Sequence, residues 1–261
     1  MAEVDGAGRS PEVRPTPGGG SEPAGDAVRR RDVLVTLLAL TTGATDAVSF
    51  IRLGGVFTSV MTGNIVLLGV SAGHRAASLA VHTGVAFAGY VLGVLAGTRL
   101  AGRDGGGVWP ARVTLALLAE AGILAVFAAG WETTGGHPGE AAQLALVGVA
   151  ALAMGAQSGT VRHLGVPGLS TTYLTGTLTG IVAGLGGHGP PRVAWRSLGL
   201  VFTLAVGAAA GAVLATEAPL GVPGLQLGAL VAVIAAATVW FAGGGAPSPP
   251  APPGRRPAPP G

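Results

Sequence analysis

Gly43-Ala44-Thr45-Asp46, Arg52-Leu53-Gly54 and Thr62-Gly63-Asn64 follow one another early in the chain; Gly155-Ala156-Gln157-Ser158, His163-Leu164-Gly165 and Thr175-Gly176-Thr177 follow one another in its second half. The spacings between the paired stretches are 112, 111 and 113 residues, so the order is kept with small insertions. Gly93 and Gly97 are echoed by Gly207 and Gly211 at a spacing of 114. Both copies lie in strongly apolar surroundings. Two membrane-embedded halves with matching polar, Gly-interrupted segments are the sequence pattern of a transporter-like binding site. The pattern names no substrate.

Composition agrees with a membrane setting. The 261 residues are 49% hydrophobic and 10% charged, and the mean hydropathy is +0.60. Soluble domains carry about 25% charged residues. All 15 basic residues are Arg, and the net charge of +3 is too small and too dispersed to suggest nucleic acid. Cys is absent, which removes disulfides, thiolate chemistry and Cys-based zinc sites.

Residues 1–28 lack apolar periodicity and read as a disordered tail, and the Pro-rich residues 243–261 as a second one. Between them, 29–242 form a polytopic membrane domain, with one repeat near 33–130 and the other near 141–242. Its apolar segments lie near 33–51, 56–73, 78–100, 110–130, 141–161, 170–187, 195–215 and 222–242. Most reach the ~20 residues a spanning helix needs. Two are polar: 56–73 holds Thr58, Ser59, Thr62, Gly63 and Asn64, and 170–187 holds Ser170, Thr171, Thr172, Thr175, Gly176, Thr177 and Thr179.

Cytoplasmic flanks carry an Arg excess, and this bears on whether the two polar segments cross. With Arg9 and Arg14 too far from the first helix to count, eight arginines fall inside and five outside if all eight segments span from a cytoplasmic N-terminus. If the two polar segments dip in and return, eleven fall inside and only Arg52 and Arg75 outside. The count favours six spans, with both termini cytoplasmic. Three spans per half then make the repeats inverted; eight spans would make them parallel. Arg30-Arg31 before an apolar run also resembles a twin-arginine export signal. No clean cleavage site closes that run, and it contains half of the repeat, so 33–51 reads as a retained first helix.

Gly43-Ala44-Thr45-Asp46-Ala47-Val48-Ser49-Phe50, Val56-Phe57 and Met61-Thr62-Gly63-Asn64 resemble the first signature of the YoaK-like family of bacterial polytopic membrane proteins, a domain of unknown function. Met154-Gly155-Ala156-Gln157, Thr171-Thr172 and Leu174-Thr175-Gly176-Thr177 are similar to its second signature, with Ser158 where members usually carry Asn. The resemblance covers about 33–242 and implies a six-helix inner-membrane protein without an established activity.

Several residues could carry chemistry. A carboxylate at membrane depth costs about 2.5–3.5 kcal/mol and normally faces a cavity or a partner. Asp46 could serve a proton or cation, or it could pair with Arg52 or cap a broken helix; both readings stand. Glu120, in the middle of 110–130, could be a proton relay or a protonated acid bonded between helices. Thr62-Gly63-Asn64 and Thr175-Gly176-Thr177 read as polar turns that form a substrate or ion cage, against a packing role for small residues. Gln157 could bond substrate or a neighbouring helix. His82 reads as structural, and the paired glycines as helix-packing surfaces.

No Walker A loop, GxSxG elbow, HExxH pair or carboxylate–His metal spacing occurs. The expectation is therefore no enzyme, no cofactor and no metal site. The leading reading is a secondary transporter or permease of a small polar solute, with proton coupling open. The alternative is a non-transporting membrane partner or stress-response scaffold. The expected partners are the lipid bilayer, an unknown small-molecule solute and, compatibly, further copies of the chain in a homo-oligomer.

Overall fold

Apolar runs of this length fold as helices because backbone groups in hydrocarbon must bond to one another. The computed structural model of the protein describes residues 22–102, 107–165, 182 and 191–241. The helices are α1 (Glu22–Arg52), α2 (Met61–His74), α3 (Ala77–Ala101), α4 (Ala111–Thr133), α5 (Glu140–His163), α6 (Pro191–Glu217) and α7 (Val222–Phe241). A 3-10 turn at Pro219–Gly221 precedes α7. All but α2 are long and apolar enough to cross a bilayer, which makes six candidate spans. With 14 residues, α2 is about 21 Å long, short of a hydrocarbon core of about 30 Å.

The outer face of the bundle is apolar, and polar groups are buried within its largely apolar core. Val66, Leu92, Val126, Phe202 and Val239 stand outward, while Thr41, Thr42, Thr45, Asp46, Glu120, Gln157 and Gln226 are buried. A soluble helix bundle would reverse this pattern. An outer wall of bare Val, Leu and Phe belongs against lipid.

Contacts sort the helix ends into two groups. At one end the Arg30 guanidinium lies 5.8 Å from the Trp240 ring, Trp109 stacks on Phe241 at 5.7 Å, and Arg31 reaches the Leu164 carbonyl at 3.5 Å. The starts of α1 and α4 and the ends of α5 and α7 therefore share that end. At the other, Arg52 donates to the Ala215 carbonyl at 3.0 and 2.7 Å, Trp131 to Pro219 at 2.7 Å, and Ser78 to Glu140 at 3.4 Å. The end of α1 and the start of α3 thus lie together, so the chain from Arg52 through α2 to Ala77 returns to the end it left. Of the described arginines, Arg52 and Arg75 belong to this end. Arg29, Arg30, Arg31, Arg99, Arg112 and Arg162 belong to the first.

Close crossings replace large side chains as the glue between spans. A Cβ on Gly93 would strike the Leu152 carbonyl, and one on Gly155 would strike the Tyr90 carbonyl, so α3 and α5 touch backbone to backbone. A Cβ on Gly207 would strike the Leu40 carbonyl, and one on Gly43 the Leu204 carbonyl, so α1 and α6 meet in the same way. Both pairs run parallel: Gly93 and Gly97 face Leu152 and Ala156, and Gly207 and Gly211 face Leu40 and Ala44. Lipid tails are as apolar as Leu, so such helices associate through close packing.

Candidate functional site

The first assembly is a segment that folds back into the membrane. After Arg52 the backbone turns at Gly54 (φ +91°) and Gly55 (φ +74°), left-handed values that favour glycine. Gly54 also lies against the His82 ring, where a Cβ would collide. His82 Nδ1 sits 2.8 Å from the Ser78 carbonyl, while its buried Nε2 has no partner. The segment then reaches Asp46, six residues or roughly 9 Å below Arg52 along α1. Asp46 Oδ1 accepts from the Thr58 amide at 2.7 Å, the Thr58 hydroxyl at 2.8 Å and the Ser59 amide at 2.8 Å; Oδ2 accepts from the Ser59 hydroxyl. A carboxylate surrounded by backbone and hydroxyl donors needs no cation. Arg52, a sequence candidate for its partner, binds Ala215 instead.

Asn64 holds the same segment from the other side. Its Oδ1 accepts from the Phe57 amide at 3.0 Å and its Nδ2 donates to the Phe57 carbonyl at 2.6 Å, so the side chain pairs with Phe57 as a neighbouring strand would. Gly63 leaves room for the Phe57 ring, 3.2 Å from where a Cβ would stand, and Phe57 stacks on Phe50 at 5.2 Å. Thr62-Gly63-Asn64 is the first turn of α2, and the irregular backbone lies just before it, at 53–60. Thr62 is exposed. A largely apolar cavity of about 230 Å³ lies between α2 and α3, lined by Asn64, Ile65, Leu68, Thr83, Gly84, Phe87 and Ala88.

The second assembly is a polar seam along α1. The Thr42 hydroxyl donates to the Leu38 carbonyl at 3.2 Å and the Thr45 hydroxyl to the Thr41 carbonyl at 2.8 Å. Gln157 Nε2, from α5, donates to the Leu38 carbonyl and to Thr42 Oγ1, both at 3.1 Å. Gln226 Nε2, from α7, donates to Thr45 Oγ1 at 2.9 Å. The carbonyl oxygens of both glutamines are buried without a donor, as are both Glu120 carboxyl oxygens and the hydroxyls of Thr41 and Ser49. Relative exposure is 0% for Glu120, 1% for Gln226 and 4% for Gln157. Leu117 and Leu124, one turn either side of Glu120, share a core cluster with Leu38, Met154 and Leu230. Thr42, Gln157 and Gln226 each stand one helical turn from one of those three. Glu120 is thus buried on α4, the helix that packs against both α5 and α7, which carry Gln157 and Gln226.

The DUF1275 family, described as proteins of unknown function, matches residues 34–239. The chain belongs to that family. It is also 36% identical over 158 residues to the UPF0700 transmembrane protein YoaK of Bacillus subtilis (strain 168), across 60% of this chain and 68% of that protein. No solved structure matches it. With six apolar spans and a transmembrane relative, this DUF1275 member is a multi-pass membrane protein.

Of the residues singled out in the sequence, Asp46, Gly63 and Asn64 meet at the infolded segment, Gln157 bonds to α1 at Leu38 and Thr42, and Glu120 is buried on α4 with neither carboxyl oxygen bonded. Thr175, Gly176 and Thr177 lie outside the described residues. Sequence reasoning missed Gln226, Thr58 and Ser59 as functional groups. Gln226 had a usable signal: it is the one amide in α7, whose other residues are apolar except Thr238 near its end. Thr58 and Ser59 helped to mark 56–73 as polar, but nothing signalled their bonds to Asp46, which depend on where the infolded chain passes it.

Proposed function

We propose that the protein is a secondary transporter or permease of a small polar solute in the cytoplasmic membrane, built as two inverted halves with both termini in the cytoplasm. The observation that carries this reading is the buried seam of unpaired acceptor oxygens on α1, α4, α5 and α7. A packing core has no use for such groups, since each buried acceptor without a donor costs about 1–3 kcal/mol. Ionisable and polar groups at this depth ordinarily mark a solute or ion path. The infolded segment held by Asp46 and Asn64 supports the same reading, because irregular backbone at membrane depth survives only in protein or beside a wet cavity.

The glycine crossings support the inverted halves. α1 and α5 open the two halves, and each packs against the second span of the other half, α6 and α3. Gly43 and Gly155, separated by 112 residues, occupy corresponding places in the two crossings, as do Gly93 and Gly207. The arginine distribution supports a cytoplasmic location for the end that holds the start of α1.

Flux through reconstituted vesicles tests the proposal. Protein-dependent entry of at least one solute, from a panel of polyols, amines and inorganic cations, is the expected result. Entry no faster than in protein-free vesicles across the panel would retire transport and favour the scaffold reading.

A further inference from the structure

We propose that the seam takes a small monovalent cation, a bare alkali-metal ion or a protonated primary amine, in exchange for a proton carried by Glu120. The exchange deepens the transport reading and rests on it. The direction of the hydrogen bonds decides which atoms the seam presents. Backbone carbonyls can only accept, so the Thr42 hydroxyl proton is spent on Leu38 and the Thr45 hydroxyl proton on Thr41. Each Oγ1 can then only accept, and what it accepts is an amide N–H of Gln157 or Gln226. The bonding therefore fixes both amides with nitrogen toward α1 and oxygen away from it. Those two oxygens, with Oε1 and Oε2 of Glu120, are buried and lack donors. Among the described residues, the buried groups of this seam without a partner are these oxygens and the hydroxyls of Thr41 and Ser49, which can turn a lone pair to a cation; none is an N–H.

Such a set suits a cation and repels an anion. Protein oxygens replace an ion's hydration shell in this way in membrane sites, and a primary ammonium offers N–H donors to the same oxygens. The charged neighbours do not supply a substitute. Within the span, α7 carries no ionisable residue; α5 has Glu140, Arg162 and His163 at its ends; α3 has His82, Tyr90 and Arg99; and α4 itself has Arg112 and Glu132 at its ends. On α1, Asp32 pairs with Arg31 and Asp46 is bonded by Thr58 and Ser59. Glu120 is left with no fixed counterion among the described residues.

The step balances. In the empty site Glu120 holds its proton. On entry of the cation the Glu120 O–H bond breaks, the proton passes to water on the open side, and the carboxylate coordinates the cation. One positive charge enters and one leaves, so the core stays neutral throughout, as burial requires.

Proton release in weakly buffered detergent solution, followed with a pH-indicator dye, tests the proposal. The probes are sodium, potassium, ammonium and methylammonium chloride, with choline chloride as a charged control that lacks N–H donors. At least one of the four is expected to release a proton from the wild-type protein, while choline releases none. A response to sodium or potassium identifies a metal-ion site, and one confined to ammonium or methylammonium an amine site. The half-saturating concentration should fall about tenfold per pH unit as long as one proton leaves per cation bound. Glu120→Gln should abolish release, and Gln157→Leu or Gln226→Leu should raise half-saturation about tenfold, the loss of one ligand. No release with any of the four salts, equal release with choline, or undiminished release from Glu120→Gln would each overturn the proposal. If Glu120→Gln fails to fold, unchanged half-saturation in Gln226→Leu overturns it. Proton release without flux in vesicles would leave the cation site standing and sink transport; neutral-solute flux without proton release would do the reverse.

Discussion

Asp46 accepts four donors from Thr58 and Ser59, and removing that carboxylate gives a graded result. Asp46→Ala leaves the two backbone N–H groups buried without an acceptor, at about 1–3 kcal/mol each, so a total loss of roughly 2–6 kcal/mol is expected. Asp46→Asn keeps one oxygen for the three donors now on Oδ1. It gives up the charge and reverses the Ser59 bond, with Nδ2 donating to the hydroxyl oxygen, for a loss of about 1–2 kcal/mol. Equilibrium unfolding in mixed micelles, followed by tryptophan fluorescence, orders the three proteins. The infolded segment should also become protease-sensitive in Asp46→Ala and stay protected in Asp46→Asn. If Asp46→Ala unfolds within about 1 kcal/mol of wild type, or Asp46→Asn costs as much as Asp46→Ala, the carboxylate does not hold this segment through hydrogen bonds.

Other outcomes follow from the same geometry. Asn64→Leu removes both bonds to Phe57 and should cost about 1–3 kcal/mol in the same assay. Gly93→Ala and Gly207→Ala each drive a methyl into a backbone carbonyl, so each should destabilise by about 1–3 kcal/mol, and by similar amounts if the two crossings correspond. Gln226→Leu deletes an unpaired carbonyl while leaving Thr45 bonded to Thr41, so folding should be neutral to slightly improved, within about 1 kcal/mol, while flux falls. A Cys beside Arg75 should react with a membrane-impermeant thiol reagent outside whole cells, and one beside Arg103 should not; the opposite pattern would invert the proposed orientation.

The spans were legible because bilayer thickness sets their length, and the Arg52/Arg75 asymmetry indicated that 56–73 returns rather than crosses. The placement of α2 between two neighbouring helix ends agrees with that reading. The bonding of Asp46 was not legible. Its partners sit 12 and 13 residues away on irregular backbone, and no periodicity reports where such a chain passes. Thr62-Gly63-Asn64 read as a turn because Gly and Asn favour turns, yet it begins a helix; Asn64 supplies the segment's missing strand partner from within that helix. Gln226 escaped notice because a neutral amide lowers the hydropathy of a span very little. Its importance comes from which hydroxyl it meets, and that is set by how α7 rotates against α1.

Access to Gln157 from the two faces of the membrane distinguishes a transport path from a closed packing core. The chain contains no Cys, so Gln157→Cys places one thiol in the seam, buried between α5 and α1. In a transport site that opens to each side in turn, that thiol is modified by impermeant reagent in both right-side-out and inside-out vesicles, and saturating substrate slows the reaction. A thiol that stays unreactive from both faces, in protein that folds and reconstitutes normally, would contradict the account.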